Sequence, residues 1–139
     1  MNPQVLVADL DRQTPGVLQF ALESAGLGML QAQDGNTVWE LIQTRNPSAV
    51  LIHVGLPGLS SQEIIRRIRT STAFAKLPVI LLGDPTTVEE SVRWLESGAD
   101  GYVMKPFSVP VLIAQIRALI RRGEINRKRT RVAGKMRPF

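Results

Sequence analysis

The chain contains no cysteine, and it has only one histidine and one tyrosine among its 139 residues. Without thiols, neither a disulfide framework, a thiolate metal site nor a cysteine nucleophile can form. No apolar run approaches the length that spans a membrane, and the start of the chain lacks the basic and apolar segments of a signal peptide. We therefore expect a soluble cytoplasmic protein.

Length and charge suggest one domain followed by a basic segment. With 139 residues, 44% of them hydrophobic, the chain can bury a sizeable core but leaves no room for a second catalytic domain. Its net charge is +5, and residues 123–139 carry that excess with six basic side chains against one acidic. We expect a folded domain over residues 1–122 and a basic linker or tail over 123–139. Nucleic-acid binding by this tail is an alternative role.

Short apolar runs alternate with amphipathic segments along the first 122 residues. Three runs, at residues 5–8, 49–52 and 78–82, are almost continuously apolar, as in parallel strands that are covered on both faces. Weaker runs at 28–32 and 101–104 indicate strands nearer an edge. The chain thus predicts five strands, each followed by a helix, in a doubly wound α/β fold with a parallel sheet.

The predicted helices have recognisable starts and apolar stripes. The start signals are Thr14 with Pro15, Asn36, Ser60 or Ser61, and Thr86 with Glu89 at capping-box spacing. The stripes of the last two helices are Val88, Val92 and Leu95, and then Val111, Leu112, Ile116, Leu119 and Ile120. On the third helix, we expect Arg66, Arg67 and Arg69 to stay in solvent.

Polar and charged residues follow several of the predicted strands. In a doubly wound sheet, ligands and reactive groups gather at the carboxyl ends of the strands. The residues at those ends are Asp9, Leu10, Asp11, His53, Gly83, Asp84 and Lys105. We expect them to converge on one pocket.

Four stretches resemble the receiver domain of two-component response regulators. They are residues 5–9, 32–35, 56–59 and 98–107, and the last is the most specific because it ends in Lys105-Pro106-Phe107. The resemblance covers residues 4–122 and implies a flavodoxin-like (βα)5 fold with strand order 2-1-3-4-5. It also implies a phosphotransfer site with an acceptor aspartate, acidic Mg²⁺ ligands, a hydroxyl residue and a lysine.

This chain matches only part of that site. Asp9 corresponds to the first acidic residue of the family and Lys105 to its lysine. Leu10 replaces the second acidic residue, His53 replaces the acceptor, and Gly83 replaces the residue that carries the hydroxyl. A leucine offers no oxygen to a hard cation. The resemblance therefore implies neither a metal nor another cofactor here, and no aspartyl phosphate at residue 53.

Two features of the altered site allow more than one interpretation. His53 is either a neutral imidazole that fills a partly buried pocket, or a phosphorylated histidine or pH sensor. Asp9 and Lys105 are expected to form an ion pair, shared by Asp11 or Asp84, because a partly buried charge is costly unless it is paired. Asp11 lies one residue after the second acidic position, and a shift of one residue along a strand end should direct its side chain elsewhere.

The resemblance also implies a surface for protein partners, formed by the fourth helix, the fifth strand and the fifth helix. Its residues here are Glu90, Arg93, Trp94, Ser97, Asp100, Tyr102 and Arg117. Aromatic and arginine side chains are typical of binding hot spots, although Trp94 could equally pack inward. The final helix is similar to the receiver end of winged-helix transcription regulators, so we expect a homodimer through this face.

The sequence therefore indicates a pseudo-receiver, a non-enzymatic signalling module that acts through protein partners and regulates transcription through an attached or partner output domain. One alternative is a working phosphotransfer domain with Asp11 or Asp84 as acceptor. Another is nucleic-acid binding through the tail. A nucleotide or flavin role is disfavoured, because no glycine-rich phosphate loop follows the first strand. Whether the chain is a receiver fragment of a longer regulator or stands alone is left open.

Overall fold

The computed structural model describes residues 2–84 and 87–135, with side chains of the last helix up to Glu124. Five parallel strands form one sheet in the order β2-β1-β3-β4-β5, which confirms the predicted topology. Their bounds are β1 Gln4–Ala8, β2 Gly28–Ala32, β3 Ala49–His53, β4 Val79–Gly83 and β5 Gly101–Met104. The weaker runs at 28–32 and 101–104 are the two edge strands, as predicted.

The strands end at nearly the same height. Ala8 at the end of β1 is level with Ala32 of β2 and Ile52 of β3, and Gly83 of β4 is level with Met104 of β5. The residues that follow these strands therefore share one edge of the sheet. This register places the candidate site.

Helices cover both faces of the sheet. Their bounds are α1 Gln13–Ser24, α2 Gly35–Arg45, α3 Ser61–Thr70, α4 Val88–Glu96 and α5 Val109–Lys135. One buried cluster joins the sheet to α2 and α3, and a second joins it to α1 and α5. The central strands β1, β3 and β4 are buried almost throughout, because both of their faces are covered.

Ser60 caps α3 as predicted, and the oxygen of its side chain accepts from Glu63 N–H. Helix α2, expected from about Asn36, begins at Gly35. Its cap is Asp34, whose carboxylate accepts from Thr37 N–H at 2.8 Å. These bonds with Thr37 lower the pKa of Asp34.

The starts of α1 and α4 also differ from the prediction. Helix α1 begins two residues earlier than Thr14 as a cap would place it. Arg12 occupies the cap position without a side-chain bond, and Thr14 is buried in the first turn. On α4, Thr87 caps the helix by accepting from Glu90 N–H, one residue later than the predicted Thr86 and Glu89 pair. Thr86 itself lies outside the described residues. Cap spacing alone does not distinguish adjacent candidate residues.

Helix α4 differs from the other helices in burial. No residue of α4 is buried, and its apolar stripe of Val88, Val92 and Leu95 is exposed. The apolar stripe expected on this helix is present, and it faces solvent. Val111 of the predicted α5 stripe is exposed as well, while Ile113 takes a buried position beside Leu112 and Ile116. Periodicity shows that a helix has an apolar face, but not whether another element covers it.

Arg69 is not in solvent as predicted, because it joins the end of α3 to the turn that follows α4. Its guanidinium donates to the carbonyl oxygens of Leu77 at 2.6 Å, Gly98 at 3.0 Å and Ala75 at 3.1 Å. A fourth bond reaches the carboxylate of Asp100 at 2.9 Å. This one side chain therefore fixes the carboxyl-terminal end of α4 to the domain.

Helix α5 continues far beyond the expected end of the folded domain. The sequence predicts a linker or tail from Gly123, whereas the helix runs through Lys135. Between Gly123 and Lys135 there is no proline, and most residues are good helix formers, so the backbone can continue the helix. Within the described residues, no helix has both the length and the apolarity needed to cross a membrane.

Gly35, the first residue of α2, tests how closely this helix packs against the loop that precedes α3. A Cβ atom there would overlap the carbonyl oxygen of Leu59 and lie 2.6 Å from its carbonyl carbon, which is backbone that cannot easily move. We expect Gly35→Ala to lower the free energy of unfolding by about 1–3 kcal/mol, as overpacking does. Gly16→Ala is the matched control, because Gly16 is exposed in α1 with no atom within 4 Å of the added carbon. Urea denaturation should show Gly16→Ala unchanged or more stable, and equal effects of the two substitutions would contradict the packing.

Candidate functional site

The candidate site is an open cavity of about 300 Å³ at the carboxyl edge of the sheet. The residues around it are Asp9, Leu10, Asp11, His53, Gly55, Leu56, Asp84 and Lys105. Six of the seven residues expected at the strand ends are therefore brought together. The seventh, Gly83, does not line the cavity.

Asp9 and Lys105 form the central ion pair of this cavity. The Asp9 side chain is only 3% exposed, and Lys105 Nζ donates to its Oδ2 at 2.5 Å. The other carboxylate oxygen, Oδ1, accepts from the backbone N–H of Asp11 at 3.0 Å. Both oxygens of Asp9 are thus engaged within the chain.

Asp11 shares the ammonium group of Lys105. Its Oδ2 lies 3.6 Å from Lys105 Nζ, and its Oδ1 accepts from Gln13 N–H at 2.9 Å. The argument that Asp11 would point elsewhere is wrong, because β1 ends at Ala8 and the alternation of a strand no longer applies after it. The cavity therefore holds one lysine between two carboxylates.

His53 and Leu10 occupy the positions where the resemblance implies an acceptor and a metal ligand. Nδ1 of the half-buried His53 accepts from Gly55 N–H at 3.0 Å. In a neutral imidazole, this contact favours the tautomer that carries its proton on Nε2. Leu10 is 57% exposed and presents a hydrocarbon side chain to the solvent beside the cavity.

Gly83 is covered by Tyr102. A Cβ atom at Gly83 would overlap the Tyr102 hydroxyl oxygen and lie 2.8 Å from Cζ of that ring. Burial raises the pKa of Tyr102, and the negative charges of Glu90 and Asp84 raise it further. The phenol therefore fills the space beside the glycine, between the cavity and α4.

The residues present do not fit a magnesium ion. Mg²⁺ prefers carboxylate oxygens in an octahedral shell, but both oxygens of Asp9 are already engaged and Leu10 offers none. In the described part of the chain, no three His, Asp or Glu side chains are grouped to hold a metal. The chemistry of this donor set disfavours the cation that aspartyl phosphorylation requires.

The expected partner surface is only partly formed by the residues predicted for it. The exposed residues are Glu90, Arg93, Ser97, Asp100 and Arg117. Trp94 and Tyr102 are half-buried and pack against the core cluster of α2 and α3, so Trp94 follows the packing alternative. Asp100 accepts from Val79 N–H at 2.8 Å and from Arg69, so its carboxylate is used inside the domain.

Sequence reasoning missed the apolar character of this surface. Leu95 and Val92 are 44% and 45% exposed, and Val88 of α4 and Met104 of β5 are exposed too. The i, i+4, i+7 spacing of the α4 stripe was visible in the sequence. What the sequence did not show is that, in the part of the chain that the structure describes, no other element covers this stripe.

A parallel sheet in this order, with its cavity at the strand ends, defines the class of the chain as a CheY-like receiver fold. The sequence pattern of the response regulator receiver domain matches residues 5–117. The chain belongs to this family and is a receiver domain of two-component signalling. The proposed resemblance is thus confirmed at the level of the family.

Two curated relatives are similar over most of this chain. Response regulator MprA of Mycolicibacterium vanbaalenii is 37% identical over 122 residues, which are 88% of this chain and 52% of the relative. The phosphate regulon transcriptional regulatory protein PhoB of Rhizobium meliloti is 34% identical over 124 residues, 89% of this chain and 55% of the relative. The chain thus spans about half the length of these relatives.

Solved structures are similar in fold. The receiver domain of the Francisella response regulator 1452 has a TM-score of 0.80 and 32% identity, with 88% of this chain and 99% of that chain covered. A CheY-like receiver domain protein from Methanospirillum hungatei has a TM-score of 0.80, 21% identity, and coverage of 91% and 99%. At that lower identity, the likeness concerns the fold alone.

Removing Lys105 tests the ion pair. Lys105→Met leaves the buried Asp9 carboxylate with only the Asp11 amide, and we expect a loss of about 2–3 kcal/mol in the free energy of unfolding. The double variant Lys105→Met with Asp9→Asn should lose less free energy of unfolding than the sum of the two single variants, because it leaves no unpaired charge in the pocket. Lys76→Met, at an exposed position, is the control and should change the stability by less than about 0.5 kcal/mol. Strict additivity of the Asp9 and Lys105 changes in urea denaturation would exclude the coupling.

Proposed function

We propose that this chain is a pseudo-receiver, which signals by binding protein partners and not by forming an aspartyl phosphate. The observation that carries this proposal is the set of side chains in the candidate cavity and the bonds that they make. The position of the acceptor holds a histidine whose Nδ1 accepts from Gly55 N–H, and the remaining aspartate of the pair is bonded to Lys105.

The electrostatics of phosphorylation explain why the replacements at residues 10 and 53 and the ion pair of Lys105 act together. An attacking carboxylate and the phosphoryl oxygens repel each other unless a divalent cation and a lysine neutralise their charge. Here the ammonium of Lys105 is shared between Asp9 and Asp11, and the second metal ligand is Leu10. A phosphoryl group that approached the cavity would meet carboxylates without the cation that offsets them.

A non-standard acceptor is the main alternative. Asp11 is exposed and lines the cavity, but its carboxylate is bonded to Gln13 N–H and lies close to Lys105. Asp84 also lines the cavity, beside the buried phenol of Tyr102. Either carboxylate would still need a cation that the described residues do not hold well.

For output, we propose a homodimer through the surface of α4, β5 and α5, as in the winged-helix regulators whose receivers this chain resembles. The stripe of Val88, Val92 and Leu95 gives an apolar centre. Arg93 and Glu90 lie on the same helix and have opposite charges, so a two-fold arrangement of two α4 helices brings unlike charges together. We therefore propose a second copy of this chain as the occupant of the α4 surface.

Transcription regulation in the cytoplasm is the role that we propose for the whole protein. A curated relative is named a transcriptional regulatory protein, and the chain spans about half of that relative. Helix α5 extends beyond the family match, and its basic residues would link the receiver to an output domain. Binding of nucleic acid by these basic residues is the competing role for the same segment.

Phosphorylation can be measured directly. After incubation with acetyl phosphate and Mg²⁺, we expect intact-protein mass spectrometry to show no added phosphoryl group on this chain. The control is Leu10→Asp combined with His53→Asp, which restores the two carboxylates of the family and should gain a measurable phosphorylated fraction. A phosphoryl group on the unaltered chain, whether at Asp11, Asp84 or His53, would contradict the proposal.

Dimerisation can be tested by placing a glutamate in the apolar stripe of α4 and, as a control, at a similarly exposed valine of α1. We expect Val92→Glu to shift the self-association equilibrium towards the monomer in sedimentation equilibrium, because it places a charge in the centre of the apolar stripe. Val17→Glu on α1 is the matched control, since Val17 is 54% exposed against 45% for Val92. A wild-type chain that stays monomeric at every concentration would contradict the proposed dimer, and so would equal effects of the two substitutions.

A further inference from the structure

A second cavity lies at the opposite edge of the sheet from the candidate site. Its volume is about 370 Å³. Pro78, which precedes β4, and Asp100, which precedes β5, both line it, so it opens at the amino ends of these two strands. It shares no lining residue with the candidate site. The function proposed above therefore gives this cavity no role.

Arg69 is a cation held in a fixed position in the wall of this cavity, where its side chain is 24% exposed. A guanidinium has five N–H groups, and four of them are used here. Nε donates to the carbonyl of Gly98, and Nη1 donates to those of Ala75 and Leu77. Nη2 donates once, to the carboxylate of Asp100. Its second N–H has no acceptor among the described residues, so it can bind an acceptor that enters the cavity.

The cavity carries an excess of positive charge. Asp100 supplies the one carboxylate among the described residues that line it, and this charge is offset by Arg69 at 2.9 Å. Lys76 and Arg122 also line the cavity, and both are exposed. Neither of them forms an ion pair with another residue that the structure describes. Two positive charges of the cavity are therefore uncompensated.

The rest of the lining is largely apolar. Ala75, Pro78 and Leu119 contribute hydrocarbon surface beside the charged groups. Sites for small organic molecules combine such a lining with a few polar groups in fixed positions. Two uncompensated cations match a phosphate monoester, whose charge is about −1.5 to −2 at pH 7. A phosphodiester of a nucleic-acid backbone carries only one negative charge, so it matches this cavity less well.

We propose that this cavity binds a small organic phosphate, whose phosphoryl oxygens accept from Lys76, Arg122 and the remaining N–H of Arg69. Charge-assisted bonds of this kind are the usual way in which proteins hold phosphate groups. The organic part of the ligand covers the apolar lining. Binding at this edge needs neither a metal nor transfer of the phosphoryl group.

The bound phosphate would join two elements of the domain. Lys76 lies in the connection between α3 and β4, while Arg122 lies on α5 beyond the end of the family match at residue 117. A ligand between these side chains holds the extension of α5 against the sheet. If the chain is a pseudo-receiver, as proposed above, this cavity gives it an input that does not involve residue 53.

The probe for this site is phenyl phosphate, titrated into the full chain and followed by amide NMR. Sodium chloride keeps the ionic strength constant, so that general screening does not change. We expect saturable shifts at the amides of Lys76, Asp100 and Gly123, and none at Asp9 or His53. Inorganic phosphate should bind more weakly, because it leaves the apolar lining uncovered.

Lys76→Gln and Arg122→Gln test the two uncompensated cations. Each should raise the Kd for phenyl phosphate by about five- to tenfold, because each removes one charge-assisted bond, and the double variant should show no saturable shift. Arg45→Gln is the matched control. It removes the same charge from an exposed position on α2 that does not line the cavity, so the Kd should stay unchanged. All three positions are exposed, and the amide spectra show whether each variant is folded.

Several results would overturn the proposal. They are the absence of saturable shifts, shifts centred on Asp9 and His53, a Kd that the double variant does not change, and equal weakening by Arg45→Gln. Inorganic phosphate that binds as tightly as phenyl phosphate would exclude an organic ligand. A short DNA duplex that binds through the same side chains while phenyl phosphate does not would assign them to nucleic acid instead. Phosphorylation by acetyl phosphate is a separate measurement, so this proposal and the pseudo-receiver proposal can fail separately.

Discussion

The ion pair between Asp9 and Lys105 is the interaction on which the site depends. A carboxylate that is almost completely buried needs a cation beside it, and Lys105 Nζ, which follows the last strand, supplies one. Together with Asp11, the pair joins the first strand to the last strand at the edge where their ends meet. Because Lys105 is shared between two carboxylates of the pocket, its charge is not free to offset a phosphoryl group. The ion pair joins the strand ends without a metal, so the fold of the family persists while its acceptor position holds a histidine.

The weakly attached fourth helix is the second constraint. Buried apolar residues hold α2 and α3 on one face of the sheet and α1 and α5 on the other, but α4 contributes none. Instead, Trp94 packs against the core, and Arg69 donates to the Gly98 carbonyl at the end of the helix. A helix held by so few contacts keeps an apolar face in solvent, and exposed apolar stripes with nearby charges are typical of binding surfaces.

The sequence was sufficient to predict the sheet, because continuous apolar runs mark buried parallel strands and the ends of such strands must converge. It therefore placed Asp9, His53 and Lys105 in one cavity. It could not predict the direction of Asp11, because that residue lies past the end of the strand, where alternation stops.

Other features depend on three-dimensional contacts. From the sequence, glycine at residue 83 shows only that no side chain is present there. The structure shows that the ring of Tyr102 fills the space. Arg69 is one of three neighbouring arginines on α3, and nothing in the pattern distinguishes the one whose bonds turn inward. The full length of α5 was not predicted, because residues 123–135 are charged and lack apolar periodicity, a pattern typical of a linker. Most of these residues nevertheless favour a helix.

The most direct test of the central claim is a magnesium titration of the intact chain, followed by amide NMR with and without beryllofluoride. The account predicts no saturable shift at the amides of Asp9, Asp11 and His53, because the carboxylates of Asp9 and Asp11 are already bound to Lys105 and to backbone N–H groups. Saturable shifts at these three residues, strengthened by beryllofluoride, would contradict it.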